Sequence, residues 1–161
     1  MKTRKELARL GIELLGPIVP DWFKFQSDGG SVPGGRVGRW LFKETQWRAA
    51  AFIHDFRYYL IALLLRSDLP AWVGVRMEAD FELQKNRKLC AKNRFIGWAY
   101  SRIIFRGVRI SGANSIRLPA ELVVPPTLKA IEEIERLCLE YYYARLTDQA
   151  KEQVRKWKES L

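Results

Sequence analysis

Residues 49–65 read AAAFIHDFRYYLIALLL, and this stretch decides the fold. At helical spacing its apolar side chains lie on nearly every side of the helix axis, which is typical of a helix in the centre of a hydrophobic core. Thr45 supplies a capping hydroxyl ahead of the stretch, so we predict a buried central helix that ends at about Leu65. Asp55 and Arg57 interrupt the apolar run, and a membrane-spanning helix needs about 20 mostly apolar residues. No transmembrane segment is therefore predicted.

Helical spacing also marks most of the remaining chain. Further helices are predicted at these places: Lys5–Leu15, Trp72–Leu89, Asn93–Phe105, after the capping residue Thr127 and after the capping residue Thr147. Two segments are bounded by prolines or glycines and are typical of short strands: Ile18–Phe25 and Ile116–Val124. The predicted fold class is α+β, mostly helical, with a buried central helix and a few short strands.

Length and composition favour a folded domain over a disordered chain. The protein has 161 residues, of which 48% are hydrophobic, and it contains six tryptophans, which is enough material for a sizeable core. Residues 1–125 are predicted to form the core domain, and residues 126–161 a C-terminal helical extension packed on the same domain. Cys90 and Cys138 match neither a disulfide framework nor a zinc-ligand spacing. No signal peptide is expected at the N-terminus, and the chain is predicted to be cytosolic or a virion component built in a cytosol.

Five polar side chains lie within apolar or glycine-rich sequence: Asp28, Ser31, His54, Asp55 and Asp80. His54 is the only histidine, and a lone histidine on an apolar helix face is commonly a satisfied core residue. Asp55 beside it is costly to bury unless it is paired. Asp28 and Ser31 lie in SDGGSVP, either in a simple glycine turn or as oxygen donors to a ligand that the glycines let approach closely. Asp80 is either a solvated aspartate or a further member of this cluster.

These side chains support more than one kind of site. His54, Asp28 and Asp80 could together bind one divalent metal ion such as Zn²⁺, Mn²⁺ or Mg²⁺. The same groups could share protons in a network without metal, and sequence spacing does not choose between the two. A serine triad of Ser31, His54 and Asp55 is disfavoured, because neighbouring side chains on a helix diverge and no Gly-x-Ser-x-Gly elbow is present.

The net charge of +10 is concentrated in one stretch of the chain. Between Lys85 and Arg109 there are eight basic residues and no acidic residue, which favours an anionic partner. Aromatic residues alternate with these cations, and aromatics in such positions either stack on bases or pack into the core. We predict an anion-binding face formed by Lys85, Lys88, Lys92, Arg102 and Arg106.

Three short motifs occur in order along the chain: SDGGSVP at 27–33, AAAFIHDF at 49–56 and EADF at 78–81. An aromatic and basic helix follows them, and over residues 18–112 the chain resembles an uncharacterised phage and prophage family, the domain of unknown function thirteen fifty-three. The family pattern is Thr-Asp-x-x-Ser-x-Pro, then Ala-x-x-His-Asp, then Ala-Asp, and Ser27 stands where the family prefers threonine. The resemblance implies a phage or prophage setting without supplying a reaction. It places the family's polar positions on Asp28, Ser31, Pro33, His54, Asp55 and Asp80.

Two functional hypotheses follow. In the first, the chain is a phage-encoded metal-dependent hydrolase that acts on an anionic or cell-envelope substrate. Its catalytic residues would be Asp28, Ser31, His54, Asp55 and Asp80. In the second, it is a non-catalytic virion or host-interaction module whose basic face contacts nucleic acid or an acidic phage or host protein. Both hypotheses place the protein in the host cytoplasm or on the virion.

Overall fold

A computed structural model describes residues 4–20, 23, 47–65, 69–91, 93–115, 127–142 and 148–160. These residues form helices that we number in chain order: α1 (Arg4–Arg9), α2 (Trp47–Leu65), α3 (Leu69–Cys90), α4 (Arg94–Ser115), α5 (Leu128–Tyr142) and α6 (Asp148–Glu159). This part of the chain holds helices and no strand. The predicted α+β fold class is therefore wrong, and the described protein is helical.

Of the segment predicted as a first strand, Ile18–Phe25, the structure describes residues 18–20 and 23, and these form no strand. The backbone N–H of Leu15 donates to the Asn86 side-chain oxygen at 2.7 Å, and the Leu15 carbonyl accepts from the Asn86 amide nitrogen at 2.8 Å. A side chain of α3 thus satisfies both backbone groups of Leu15, three residues before this segment. Downstream, the Phe23 N–H closes a tight turn onto the Pro20 carbonyl at 3.1 Å. The second predicted strand, Ile116–Val124, lies outside the described residues.

Helix α2 occupies the centre of the fold, as its sequence predicts. Phe56, Leu60 and Ile61 are almost completely buried, and they belong to one hydrophobic cluster with Ile134 of α5 and Trp157 of α6. The two C-terminal helices therefore share the core that surrounds α2. None of the described helices is long and apolar enough to cross a membrane.

Several helix boundaries differ from the predicted ones. Helix α3 starts at Leu69 and not at Trp72, with Pro70 in the first turn, where proline removes no helical hydrogen bond. Helix α4 starts after Asn93, whose side chain caps the Phe95 N–H at 2.9 Å. It runs to Ser115 and does not end near Phe105. A glycine inside a helix costs only about 1 kcal/mol relative to alanine, so Gly107 and Gly112 do not end it.

The ends of the remaining helices follow local capping chemistry. The predicted cap of α5 is confirmed, because the Thr127 hydroxyl accepts the Ala130 N–H at 3.2 Å. Helix α1 stops at Arg9 and does not reach Leu15. The Ile12 N–H bonds back to the Leu7 carbonyl at 3.0 Å while the chain turns at Gly11, which is a glycine-terminated helix end.

Candidate functional site

A buried ion pair joins the central helix to its neighbour. His54 of α2 and Asp80 of α3 meet with Nε2 3.0 Å from Oδ1, and Asp80 is 0% exposed. A carboxylate can only accept hydrogen bonds, so the His54 Nε2–H is the donor in this contact. One turn further along α2, Arg57 holds Glu82 through two nitrogen–oxygen contacts of 3.2 and 2.8 Å. These paired contacts fix the register between the two helices.

Asp80 is the centre of a larger polar cluster. Its Oδ1 also accepts the Tyr58 hydroxyl at 2.6 Å, and its Oδ2 accepts Arg109 Nη1 at 3.0 Å. Arg76 Nε donates to the Tyr58 hydroxyl at 3.2 Å and lies 4.0 Å from Asp80 Oδ2. Asp55 lies on the other side of the imidazole, with Oδ1 3.7 Å from His54 Nδ1. We call this set the Asp80 cluster: His54, Asp55, Tyr58, Arg76, Asp80 and Arg109.

The cluster also fastens α4 to α3 through the backbone. Arg76 Nη2 donates to the carbonyl oxygens of Val108 and Arg109, each at 3.0 Å. The Arg109 side chain itself donates to Asp80 of α3. The guanidinium groups of Arg76 and Arg109 thus both hold this turn of α4 against α3. Three helices therefore meet at one buried carboxylate.

Burial and charge act in opposite directions on the titration of this cluster. Burial by itself would lower the pKa of His54, but the contacts with Asp55 and Asp80 outweigh it and raise that pKa above its usual value. Burial would raise the pKa of Asp80, yet hydrogen bonds from His54, Tyr58 and Arg109 hold it below its usual value. Burial raises the pKa of Tyr58, and its bond to Asp80 adds to that effect. The geometry thus favours a charged imidazolium beside a charged carboxylate.

The structure brings together three of the predicted site residues, His54, Asp55 and Asp80. The prediction that His54 is buried against a carboxylate is confirmed. Asp28, Ser31 and the family's Pro33 lie outside the described residues. Within the described ranges, no three His, Cys, Asp or Glu side chains are arranged to hold a metal ion. The metal site of His54, Asp28 and Asp80 stays a prediction.

Three members of the cluster were missed in the sequence. Tyr58 lies one helical turn after His54, and Arg76 lies one turn before Asp80, so both share a face with a predicted site residue. That spacing is the signal that could have found them. Arg109 is the last cation of the basic stretch, and nothing in its spacing shows that its side chain turns inward to Asp80.

The basic stretch divides into cations that point inward and cations that point to solvent. Arg87 is buried, and burial lowers its pKa to about 10. Arg109 belongs to the Asp80 cluster, with its side chain 32% exposed. Lys92 lies outside the described residues. Those of the predicted anion-binding set that are described all lie at the surface: Lys85, Lys88, Arg102 and Arg106.

Aromatic side chains lie among these exposed cations. Phe95 is 75% exposed and Trp98 is 44% exposed, and their rings stack with centroids 6.3 Å apart and planes 25° apart. The Arg102 guanidinium lies over Trp98, 4.3 Å from the ring centroid, as a cation–π contact. Aromatics at helical spacing often pack into a core, but these two lie on the surface.

The packing of α3 against α4 brings the exposed lysines of α3 and the exposed arginines of α4 onto one surface. Phe81 stacks on Phe105 with centroids 4.9 Å apart, and Gly97 lies against Ala91 and the Lys88 carbonyl. These contacts show that the helices run antiparallel, so the end of α3 lies beside the start of α4. We call this surface the basic-aromatic face: Lys85, Lys88, Phe95, Trp98, Arg102 and Arg106.

Comparison of the chain with protein-family models, with curated proteins and with solved structures gives no match.

Proposed function

We propose that this protein is a non-catalytic binding module that holds an anionic polymer, nucleic acid in particular, on the basic-aromatic face. The family resemblance supports a phage or prophage setting for it, in the host cytoplasm or on the virion. The proposal depends on one observation: the cations of this face have no carboxylate partner among the described residues, whereas Arg136 of α5 and four cations of α6 do.

The contrast with the C-terminal helices carries the argument. Arg136 pairs with Glu140 at 3.1 Å, and Arg155 pairs with both Glu152 and Glu159. On α6, Lys151, Lys156 and Lys158 also each have a carboxylate within ion-pair distance. No such pair within the described ranges involves Lys85, Lys88, Arg102 or Arg106. Cations without internal partners retain their full attraction for phosphate groups.

In this proposal the Asp80 cluster stabilises the fold and is not a catalytic site. Each oxygen of Asp80 already accepts at least one hydrogen bond from within the cluster. A cluster that joins three helices holds the α4 backbone against α3 and so fixes where the aromatic and arginine side chains of the face leave the helix. A binding surface on a fixed backbone loses less entropy on binding than one on a mobile segment. The metal-dependent hydrolase with Asp28, Ser31, His54, Asp55 and Asp80 stays a sequence prediction, and no contact among the described residues favours it over this structural role.

The test is a binding titration at several salt concentrations. Four phosphate contacts give a slope of log K against log salt of about −3 to −4. The variant Lys85→Gln/Lys88→Gln/Arg102→Gln/Arg106→Gln should lose most of the affinity and most of that slope for a labelled oligonucleotide. The matched control, Lys151→Gln/Arg155→Gln/Lys156→Gln/Lys158→Gln, removes the same number of charges from α6 and should keep both. Equal loss in the two variants would mean that net charge, and not this face, governs binding.

A further inference from the structure

The aromatic rings of the basic-aromatic face are accessible and contact one another. Phe95 and Trp98 lie one helical turn apart on α4, and Arg102 lies one turn further on. The ring stacking and the cation–π contact connect all three side chains. Although Phe95 and Arg102 lie against Trp98, 75% of Phe95 and 44% of Trp98 remain exposed to solvent beside a positive charge.

The start of α4, which carries these rings, packs closely against α3. The Asn93 side chain caps the first turn of α4, and the Gly97 N–H bonds to the Asn93 carbonyl at 2.8 Å. A Cβ atom on Gly97 would collide with Ala91, so the start of α4 lies directly against the end of α3. The rings therefore project from a helix at the point where it packs closely on its neighbour, and not from a loop.

Phosphate contacts alone do not distinguish a single strand from a duplex, but ring stacking does. The faces of bases inside a duplex are covered by neighbouring bases, whereas the bases of a single strand can leave the stack and lie on an aromatic ring. Stacking on aromatic side chains together with a positively charged path for the backbone is the usual mode of single-strand binding. The basic-aromatic face offers both features within one surface.

The order of side chains around α4 disfavours a membrane surface as the partner. Successive helical residues turn by about 100°, which places Arg102 and Arg106 between Trp98 on one side and Ile103 and Ile110 on the other. An interfacial helix keeps its cations at the border of one continuous apolar face. Here the cations occupy the middle, so insertion into lipid would bury two guanidinium groups.

We infer that the basic-aromatic face binds single-stranded nucleic acid, with bases stacked on Trp98 and Phe95 and phosphates held by the surrounding cations. This inference rests on the proposed function and specifies its ligand. Arg102 has two roles in it, because it orders the Trp98 ring and offers its own planar face and charge to the strand.

The experiment compares a labelled oligothymidine of about 16 nucleotides with a duplex of equal length at one salt concentration. The wild-type protein should bind the single strand more tightly. The variant Phe95→Leu/Trp98→Leu keeps every charge and should lose about tenfold or more in single-strand affinity, with duplex affinity and the salt slope unchanged. Trp98→Phe should retain most of the affinity because it keeps an aromatic face, and Ile103→Ala/Ile110→Ala should behave as wild type.

The possible outcomes test the single-strand inference and the anion-binding function separately. If single strand and duplex bind equally and the leucine variant is unchanged, stacking is refuted while the anion-binding function stands. If neither oligonucleotide binds, the proposed function fails as well. If vesicles containing phosphatidylserine bind and oligonucleotides do not, the ligand is a membrane surface and the inference is overturned.

Discussion

The Nε2 atom of His54 lies 3.0 Å from Oδ1 of Asp80, although the two residues are 26 positions apart and belong to different helices. Tyr58 and Arg109 donate to the same carboxylate. A buried charge is tolerated only where such partners compensate its lost hydration. The stability of the α2–α3–α4 assembly should therefore depend on this one carboxylate.

The change Asp80→Asn should destabilise the fold strongly. It leaves Arg109 and the protonated His54 without the negative charge that compensates them, and breaking a buried pair in this way costs about 3–5 kcal/mol. Urea unfolding followed by circular dichroism measures the loss. Glu132→Gln, on the exposed side of α5, is the control and should change the unfolding free energy by less than about 0.5 kcal/mol. Similar values for the two variants would contradict the role given to Asp80.

Tyr58→Phe should show that the cluster acts as a unit. The hydroxyl donates to Asp80 and accepts from Arg76, so its removal should cost about 1–3 kcal/mol of unfolding free energy. Because both effects act on the same contacts, the double variant Tyr58→Phe/Asp80→Asn should be less destabilised than the sum of the single variants. A coupling of about 0.5–3 kcal/mol is expected. Strict additivity would mean that the two residues act independently.

His54 permits a direct test of the charges in the cluster, because it is the only histidine in the chain. One imidazole signal in the proton NMR spectrum therefore reports its titration without assignment by mutation. The pKa of His54 is raised by Asp55 and Asp80 despite burial, so the signal should titrate above the usual value of about 6.5. A midpoint at or below that value would show that burial dominates and that His54 is neutral in the fold.

The raised pKa of His54 also determines whether its contribution to the unfolding free energy grows or shrinks as pH rises. A histidine whose pKa is raised on folding contributes stability that is fully present below the unfolded pKa of about 6.5 and is lost as pH rises through the folded pKa. The unfolding free energy of the wild type minus that of His54→Gln should thus shrink as pH rises through this window. Asp80, whose pKa is lowered, gives the opposite trend in acid, where its contribution is lost as pH falls through its folded pKa. A difference that stays constant between about pH 5 and 9 would exclude the raised pKa.

Features set by local spacing could be predicted from the sequence. The apolar run that includes Phe56 and Ile61 predicts a buried central helix, and Thr127 caps α5 as its position indicates. The burial of His54 follows from the same periodicity. Each of these features depends on residues within a turn or two of each other, where helix geometry alone determines which side chains share a face.

Features set by packing between helices could not be predicted. The pairing of His54 with Asp80 depends on the register between α2 and α3, which no local pattern specifies. By helical spacing, Arg109 lies on the same face of α4 as the exposed Arg102 and Arg106. Its guanidinium nevertheless turns inward, because the Asp80 carboxylate lies within its reach. The bonding of the Leu15 backbone to Asn86, 71 positions away, likewise depends on packing between distant segments.

Two glycines should respond in opposite ways to the same substitution. Gly16 has a φ of 96°, a backbone conformation that alanine adopts only with strain. A Cβ atom there would collide with the Glu82 carboxylate and lie 2.8 Å from Ile53 Cγ2. Glu82 cannot move aside freely because Arg57 holds both of its oxygens. Gly16→Ala should therefore lower the unfolding free energy by more than about 1 kcal/mol.

Gly74 provides the matched comparison, because it lies inside α3 and a Cβ atom there would meet nothing within 4 Å. Alanine is the better helix former by about 1 kcal/mol, so Gly74→Ala should raise the urea midpoint while Gly16→Ala lowers it. The two variants add the same methyl group, which removes side-chain size as an explanation for the difference. If Gly16→Ala proved as stable as the wild type, the close approach of residue 16 to the Arg57–Glu82 pair would be wrong, and with it the register that brings His54 to Asp80.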